Sequence, residues 1–148
     1  MLRIKSKRDT QRGATLVEFA IGATVFVTAL FAVLEFGRAL WVHNALTDAA
    51  RRGARYAVVN SNADSASVKN VVVYGNPAGT GTPLINNLST ANVDVNYSTF
   101  GVGEGTATVN ITNYKFQFVV PLIGTTINMP AYKTTLIGES AGYIPANK

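Results

Sequence analysis

The stretch QRGATLVEFAIGATVFVTALF, Gln11–Phe31, decides how the rest of the chain is read. It starts basic, passes through Gly13 and turns apolar. From Ala14 to Leu34 the only charged residue is Glu18. As a helix this segment is about 31 Å long at 1.5 Å per residue, enough to cross the hydrocarbon core of a bilayer. Arg3, Lys5, Lys7, Arg8 and Arg12 precede it with only Asp9 opposing them. The positive-inside rule then places the N-terminus in the cytoplasm and the C-terminal bulk outside.

Composition supports this division. The chain has 148 residues, of which 47% are hydrophobic and 14% charged. Soluble domains carry about 25% charged residues, and here the missing charge is missing from the apolar segment. The formal net charge is +5. Beyond Gly13 the eight remaining Lys and Arg face seven Asp and Glu, so the basicity belongs to residues 1–13 and argues against nucleic-acid binding by the folded part. There is no cysteine, which excludes disulfides, zinc–thiolate sites and a cysteine nucleophile.

No catalytic constellation is legible. His43 is the single histidine, and Asp94 and Glu104 lack sequence partners for paired-carboxylate chemistry. The glycine-bearing loop Asn76–Pro83 is not followed by the Lys-Ser/Thr of a phosphate-binding loop. We therefore expect no enzyme, no cofactor, no metal and no small-molecule substrate.

Glu18 separates the readings of the apolar segment. A cleaved secretory signal has a shorter apolar run closed by small residues, whereas FAVLEFGRALW continues apolar and helical. A plain signal anchor has no use for a carboxylate that costs roughly 2.5–3.5 kcal/mol at the membrane centre and less near its end. The anchor reading carries an alternative function: a single-pass, signal-anchored membrane protein whose outer β domain binds a ligand or an envelope component. The third reading rests on spacing. A basic leader ends at Gly13, and Glu18 is the fifth residue of the apolar helix. This resembles the type IV prepilin signal, which implies cleavage between Gly13 and Ala14 and retention of the apolar helix. Cleavage creates an α-amino group on Ala14 at the bilayer edge. An amine and a carboxylate that are both poorly solvated stabilise one another when paired. A single buried polar pair also fixes register between packed helices.

The helical pattern continues to Val59 without proline. Ala39, Val42, Leu46, Ala49, Ala50, Gly53 and Ala57 form one stripe at helical spacing. Ala14 to Val59 would make a helix of about 69 Å. Glu35 and Arg38 are spaced to pair, and Asp48 stands three and four residues before Arg51 and Arg52. Three elements in order, GATLVEFA (Gly13–Ala20), EFGRALW (Glu35–Trp41) and ALTDAARRGARYAVV (Ala45–Val59), resemble the TadE-like family of minor pilins or pseudopilins of the tight-adherence (Tad, type IVc) pilus system. The resemblance implies a substrate of a prepilin peptidase, held in the bacterial inner membrane. Its implied partners are the lipid bilayer, other Tad pilins and the inner-membrane assembly platform. It assigns Gly13 and Ala14 to processing and Glu18 to assembly and register. Phe19, Ile21, Val25, Phe26, Leu30 and Leu34 belong to the anchor.

After Val59 the texture changes. NSNADSAS is polar and turn-like, and VKNVVVYG (Val68–Gly75) reads as a strand or the end of a helix. NVDVNYSTF, ATVNITNYKFQFVV and AYKTTLIGESAGY alternate β-branched or aromatic residues with polar ones, as half-buried antiparallel strands do. A bulge is expected near Asn113. The expected fold is α+β: a long N-terminal transmembrane helix continuing into a small pilin-like domain with an antiparallel sheet of three to four strands. Its parts are a leader (1–13), a membrane segment (14–34), an extracytoplasmic continuation of the helix (35–59) and a β-rich domain (60–148). Trp41 is expected at the membrane interface, and Tyr56 between helix and sheet.

Overall fold

A computed structural model of the chain describes residues 7–60, 64–98, 105–120 and 126–137. The chain divides into two compact units, Met1–Arg38 and Ala39–Lys148. Helix α1 runs Lys7–Val59. It begins earlier than Ala14, because residues 7–13 hold no proline and are rich in Lys, Arg and Gln, which favour helix.

In the first unit the described chain is α1 alone. In the second, α1 contributes a buried face of Val42, Leu46, Ala49, Ala50, Ala54 and Ala57. Small residues dominate this face because side chains of other elements come close. A Cβ built on Gly53 would lie 2.3 Å from Val72 Cγ2 and 3.6 Å from both Val109 methyls. Gly22 and Gly37 have open space at the same position, so of these three only Gly53 marks a close approach within the chain.

The ambiguous VKNVVVYG is helical. Helix α2, Ser65–Tyr74, is capped by Asp64, whose carboxylate accepts the Ser67 N–H at 2.6 Å. It stops at Gly75, where φ is +78° and the N–H returns to the Val71 carbonyl. Glycine takes that left-handed conformation without steric cost, so it ends the helix. Val68, Val71, Val72 and Val73 are buried. Packing on two sides outweighs the weak helix propensity of four valines.

The main sheet has three antiparallel strands in the order β1 (Val93–Ser98), β2 (Thr106–Ile111), β5 (Tyr132–Ile137). The register aligns Val93 with Ile111 and Tyr132, and Val95 with Val109 and Thr134. These residues share the inner face with Tyr97, Ala107 and Leu136, while Asp94, Asn96, Thr108, Lys133 and Thr135 alternate outward. Because side chains alternate with period two, a one-residue slip would bury that polar row, so the pattern holds the register.

ATVNITNYKFQFVV is two strands rather than one bulged strand. Asn113 takes φ +57° and breaks the run. β3 (Lys115–Gln117) then pairs with β4 (Thr126–Asn128) in a separate antiparallel ribbon. Phe116 from this ribbon is fully buried and meets Phe118 edge-on at 5.2 Å between ring centres. The Tyr114 hydroxyl donates to the Asn86 carbonyl at 2.7 Å, tying the start of the ribbon to the α2–β1 connection. Residues 101–104, between β1 and β2, lie outside the described residues, as does the end of AYKTTLIGESAGY after Ile137.

Candidate processing and assembly segment

From Gly13 to Leu34, α1 buries none of its long apolar side chains. Phe19, Ile21, Val25, Phe26, Leu30 and Leu34 are between 49% and 73% exposed. The apolar positions point all round the helix, which is the pattern of a helix lying in an apolar medium rather than along a core. Residues Gly13–Val59 contain a window of mean hydropathy 2.2, none of it buried within the chain. By length and composition this helix can cross a membrane. Thr24 returns its hydroxyl to the Ala20 carbonyl at 2.8 Å, an i−4 bond that satisfies the hydroxyl within the helix.

Leu, Ile, Phe and Val together number eleven between Ala14 and Leu34. At roughly 0.3–0.6 kcal/mol each on insertion scales they supply about 3–7 kcal/mol. That offsets a carboxylate near the end of the span, which costs less than the roughly 3 kcal/mol of a central one. By this reckoning Glu18 does not prevent the span from crossing a membrane. Gly13, Ala14 and Glu18 are all exposed, and Glu18 makes no hydrogen bond or ion pair among the described residues. Gly13 lies inside α1, with no neighbouring atom within 4 Å of where a Cβ would stand. Ala14 and Glu18 stand four residues apart, one above the other on the same helix face.

Glu35 and Arg38 are joined at 2.6 Å, and Glu35 is only 6% exposed. Asp48 and Arg51 stand 3.9 Å apart with both side chains exposed. In place of a bond to Asp48, Arg52 crosses to α2. Its Nε and Nη2 donate to the Val71 and Val72 carbonyls, each at 3.3 Å. Those carbonyls belong to the last turn of α2, where the helix dipole is negative and a cation is favoured. A partner nineteen residues away in sequence outcompetes the i,i+4 partner, because the carbonyls are fixed and half-buried while Asp48 is solvated.

His43 is exposed, yet its Nδ1 lies 2.9 Å from the Tyr132 hydroxyl, and the rings meet edge-on at 5.2 Å. This link between α1 and the start of β5 has no signal in the sequence, since the residues are 89 positions apart. Burial is the main cause that raises the Tyr132 pKa. Trp41 is 62% exposed. Tyr56 packs half-buried against the core. Among the described residues no three His, Asp or Glu side chains are grouped to hold a metal ion.

The resemblance read from the three N-terminal elements is borne out: residues 13–55 match the family model described as TadE-like protein. No curated protein and no solved structure matches the chain. The family match ends at Arg55, before α2 and the sheets begin.

Proposed function

With residues 13–55 TadE-like, we propose that this chain is a minor pilin or pseudopilin that takes part in assembling a Tad, type IVc, adhesive pilus. TadE-like proteins are structural rather than catalytic. A single-pass anchor in the bacterial inner membrane fits the apolar part of α1, with the N-terminus cytoplasmic and the sheet domain extracytoplasmic. The observation that carries the proposal is Glu18: an exposed carboxylate without a partner among the described residues, in an otherwise uncharged span, five residues after Gly13.

A prepilin peptidase cuts after Gly13 in this reading. An extended backbone is needed in a protease cleft, and Gly13 is helical, so the first turns must unwind. Glycine lowers the cost of unwinding by about 1 kcal/mol relative to alanine and lets the enzyme approach the backbone closely. The new Ala14 amine then sits beside an apolar medium. The Glu18 carboxylate of a neighbouring subunit neutralises it and sets the axial register, as a single buried polar pair does in packed helices. Other Tad pilins and the inner-membrane assembly platform are the partners.

Replacing Glu18 with Gln keeps the shape and removes the charge. We expect leader removal to continue in Glu18→Gln while pili are lost from the cell surface, read by immunoblot of the chain and electron microscopy of the cells. Normal piliation by Glu18→Gln would remove the proposed role of the carboxylate.

A further inference from the structure

We infer that a groove between α1 and α2 is a docking surface for an acidic segment of a different polypeptide. The groove is open, about 680 Å³ in volume, and lies wholly within residues 48–77. Arg51, Arg52 and Arg55 stand along one wall, and Val59, Val71 and Pro77 supply apolar surface. Asp48 is the only acidic residue lining it.

The three guanidinium groups differ in what they have left to bind. Arg52 is committed to the α2 carbonyls. Those bonds answer the negative end of α2, so its dipole does not neutralise the other two arginines. Arg51 holds Asp48 only at 3.9 Å, with side chains 66% and 74% exposed. Pairs of this kind contribute about 0–1 kcal/mol, so a better-placed carboxylate can displace it. Arg55 is exposed and makes no hydrogen bond or ion pair among the described residues. One turn of helix thus presents two exposed guanidinium forks, whose planar geometry matches carboxylates two bonds at a time.

The volume and the apolar surface decide what kind of anion fits. A groove this size is larger than one carboxylate, and Val59, 70% exposed, offers nothing to a small solvated ion. It suits the methylene stems of consecutive Glu or Asp residues with their carboxylates on Arg51 and Arg55. A second copy of this chain cannot supply such a run. Its eight acidic residues are scattered, and the nearest two, Asp9 and Glu18, are nine positions apart. The occupant is therefore a segment of another protein, and the contact is heterotypic. This goes beyond the pilus reading. An intact leader would leave the groove unaffected, and a failed peptide titration would leave leader removal unaffected.

The test uses the full chain in phosphatidylcholine nanodiscs and a fluorescein-labelled hexaglutamate peptide, followed by fluorescence anisotropy at low salt. The basic leader also attracts this probe, so the readout is the difference between variants. Arg51→Ala with Arg55→Ala is expected to weaken binding at least tenfold, with the near-UV circular dichroism melt unchanged. Arg55→Glu alone is expected to weaken it at least as much as Arg55→Ala, whereas Lys5→Ala with Lys7→Ala leaves the Arg51/Arg55 dependence in place. Equal affinity of the double variant and the unmodified chain would overturn the proposal. So would Arg51- and Arg55-dependent binding of phosphatidylglycerol vesicles without binding of hexaglutamate, which would make the groove a membrane contact.

Discussion

Gly53→Ala adds one methyl where α1 crosses α2 and β2, and two opposing terms set its effect. Alanine is the better helix former by about 1 kcal/mol at an interior position. Against this, the new Cβ would stand 2.3 Å from Val72 Cγ2, where apolar carbons ordinarily meet at about 3.5–4.0 Å. Relief requires a shift of more than about 1 Å. Val72 cannot swing clear, because it is fully buried and its β-branched side chain has one strongly preferred rotamer in a helix. Overpacking of this kind costs about 1–3 kcal/mol, and the short contact places it in the upper half of that range. The net expectation is destabilisation by about 1–2 kcal/mol, a fall in melting midpoint of about 4–10 °C for a domain of this size. Gly37→Ala is the matched comparison, since a Cβ there has nothing within 4 Å and the midpoint should hold or rise. The assay is thermal unfolding of the full chain in detergent micelles, followed by near-UV circular dichroism. Val72→Ala sharpens it: alone it leaves a cavity and costs about 2 kcal/mol, but in the double variant the new methyl occupies part of that space. The double variant should therefore be more stable than the two single losses predict when added. If Gly53→Ala melts no lower than Gly37→Ala, the close crossing of α1 and α2 is wrong.

Two further outcomes follow from the caps of α2. The Ser67 backbone N–H, then its hydroxyl, hold the Asp64 carboxyl below its ordinary pKa. A depressed pKa gives stability that is full above the unfolded value of about 3.9 and is lost as pH falls through the folded value. The midpoint difference between the unmodified chain and Asp64→Ala should thus be full at pH 6 and shrink below pH of about 4, while a pH-independent difference would contradict the cap. Arg52→Met keeps the aliphatic stem and removes the two bonds to the Val71 and Val72 carbonyls. For a half-buried charged donor we expect a loss of about 1 kcal/mol, read as a lower urea midpoint with unchanged slope.

The parts of the fold that could be read in sequence were those set by local pattern. The apolar span, the stripe from Val42 to Ala57 and the alternation of Val93, Val95 and Tyr97 are periodicities that burial imposes directly on sequence. What failed to show was decided by contacts distant in sequence. Val71–Val73 are strand formers held helical by packing and by the caps at Asp64 and Gly75. Asn113 splits a continuous alternating run through one positive φ, which is visible only once β3 pairs elsewhere. Arg52 looked like the partner of Asp48 because a helix places them four apart, but the half-buried carbonyls at the end of α2 are not written in the α1 sequence. In the candidate site, Gly13 and Glu18 stood out because a glycine after a basic run and a lone charge in an apolar span are both local anomalies. The groove of Arg51 and Arg55 did not, because its second wall comes from Val71, Gly75 and Pro77.

The most direct measurement is the mass of the mature N-terminal peptide from cells that express the cognate prepilin peptidase, with Gly13→Ala alongside. The expected result is a chain that begins at Ala14, and a leader that persists in Gly13→Ala. A chain that still begins at Met1 would make the apolar span a plain anchor. One that begins beyond Leu34 would make the β domain a secreted one, and in either case Glu18 would have no amine to meet.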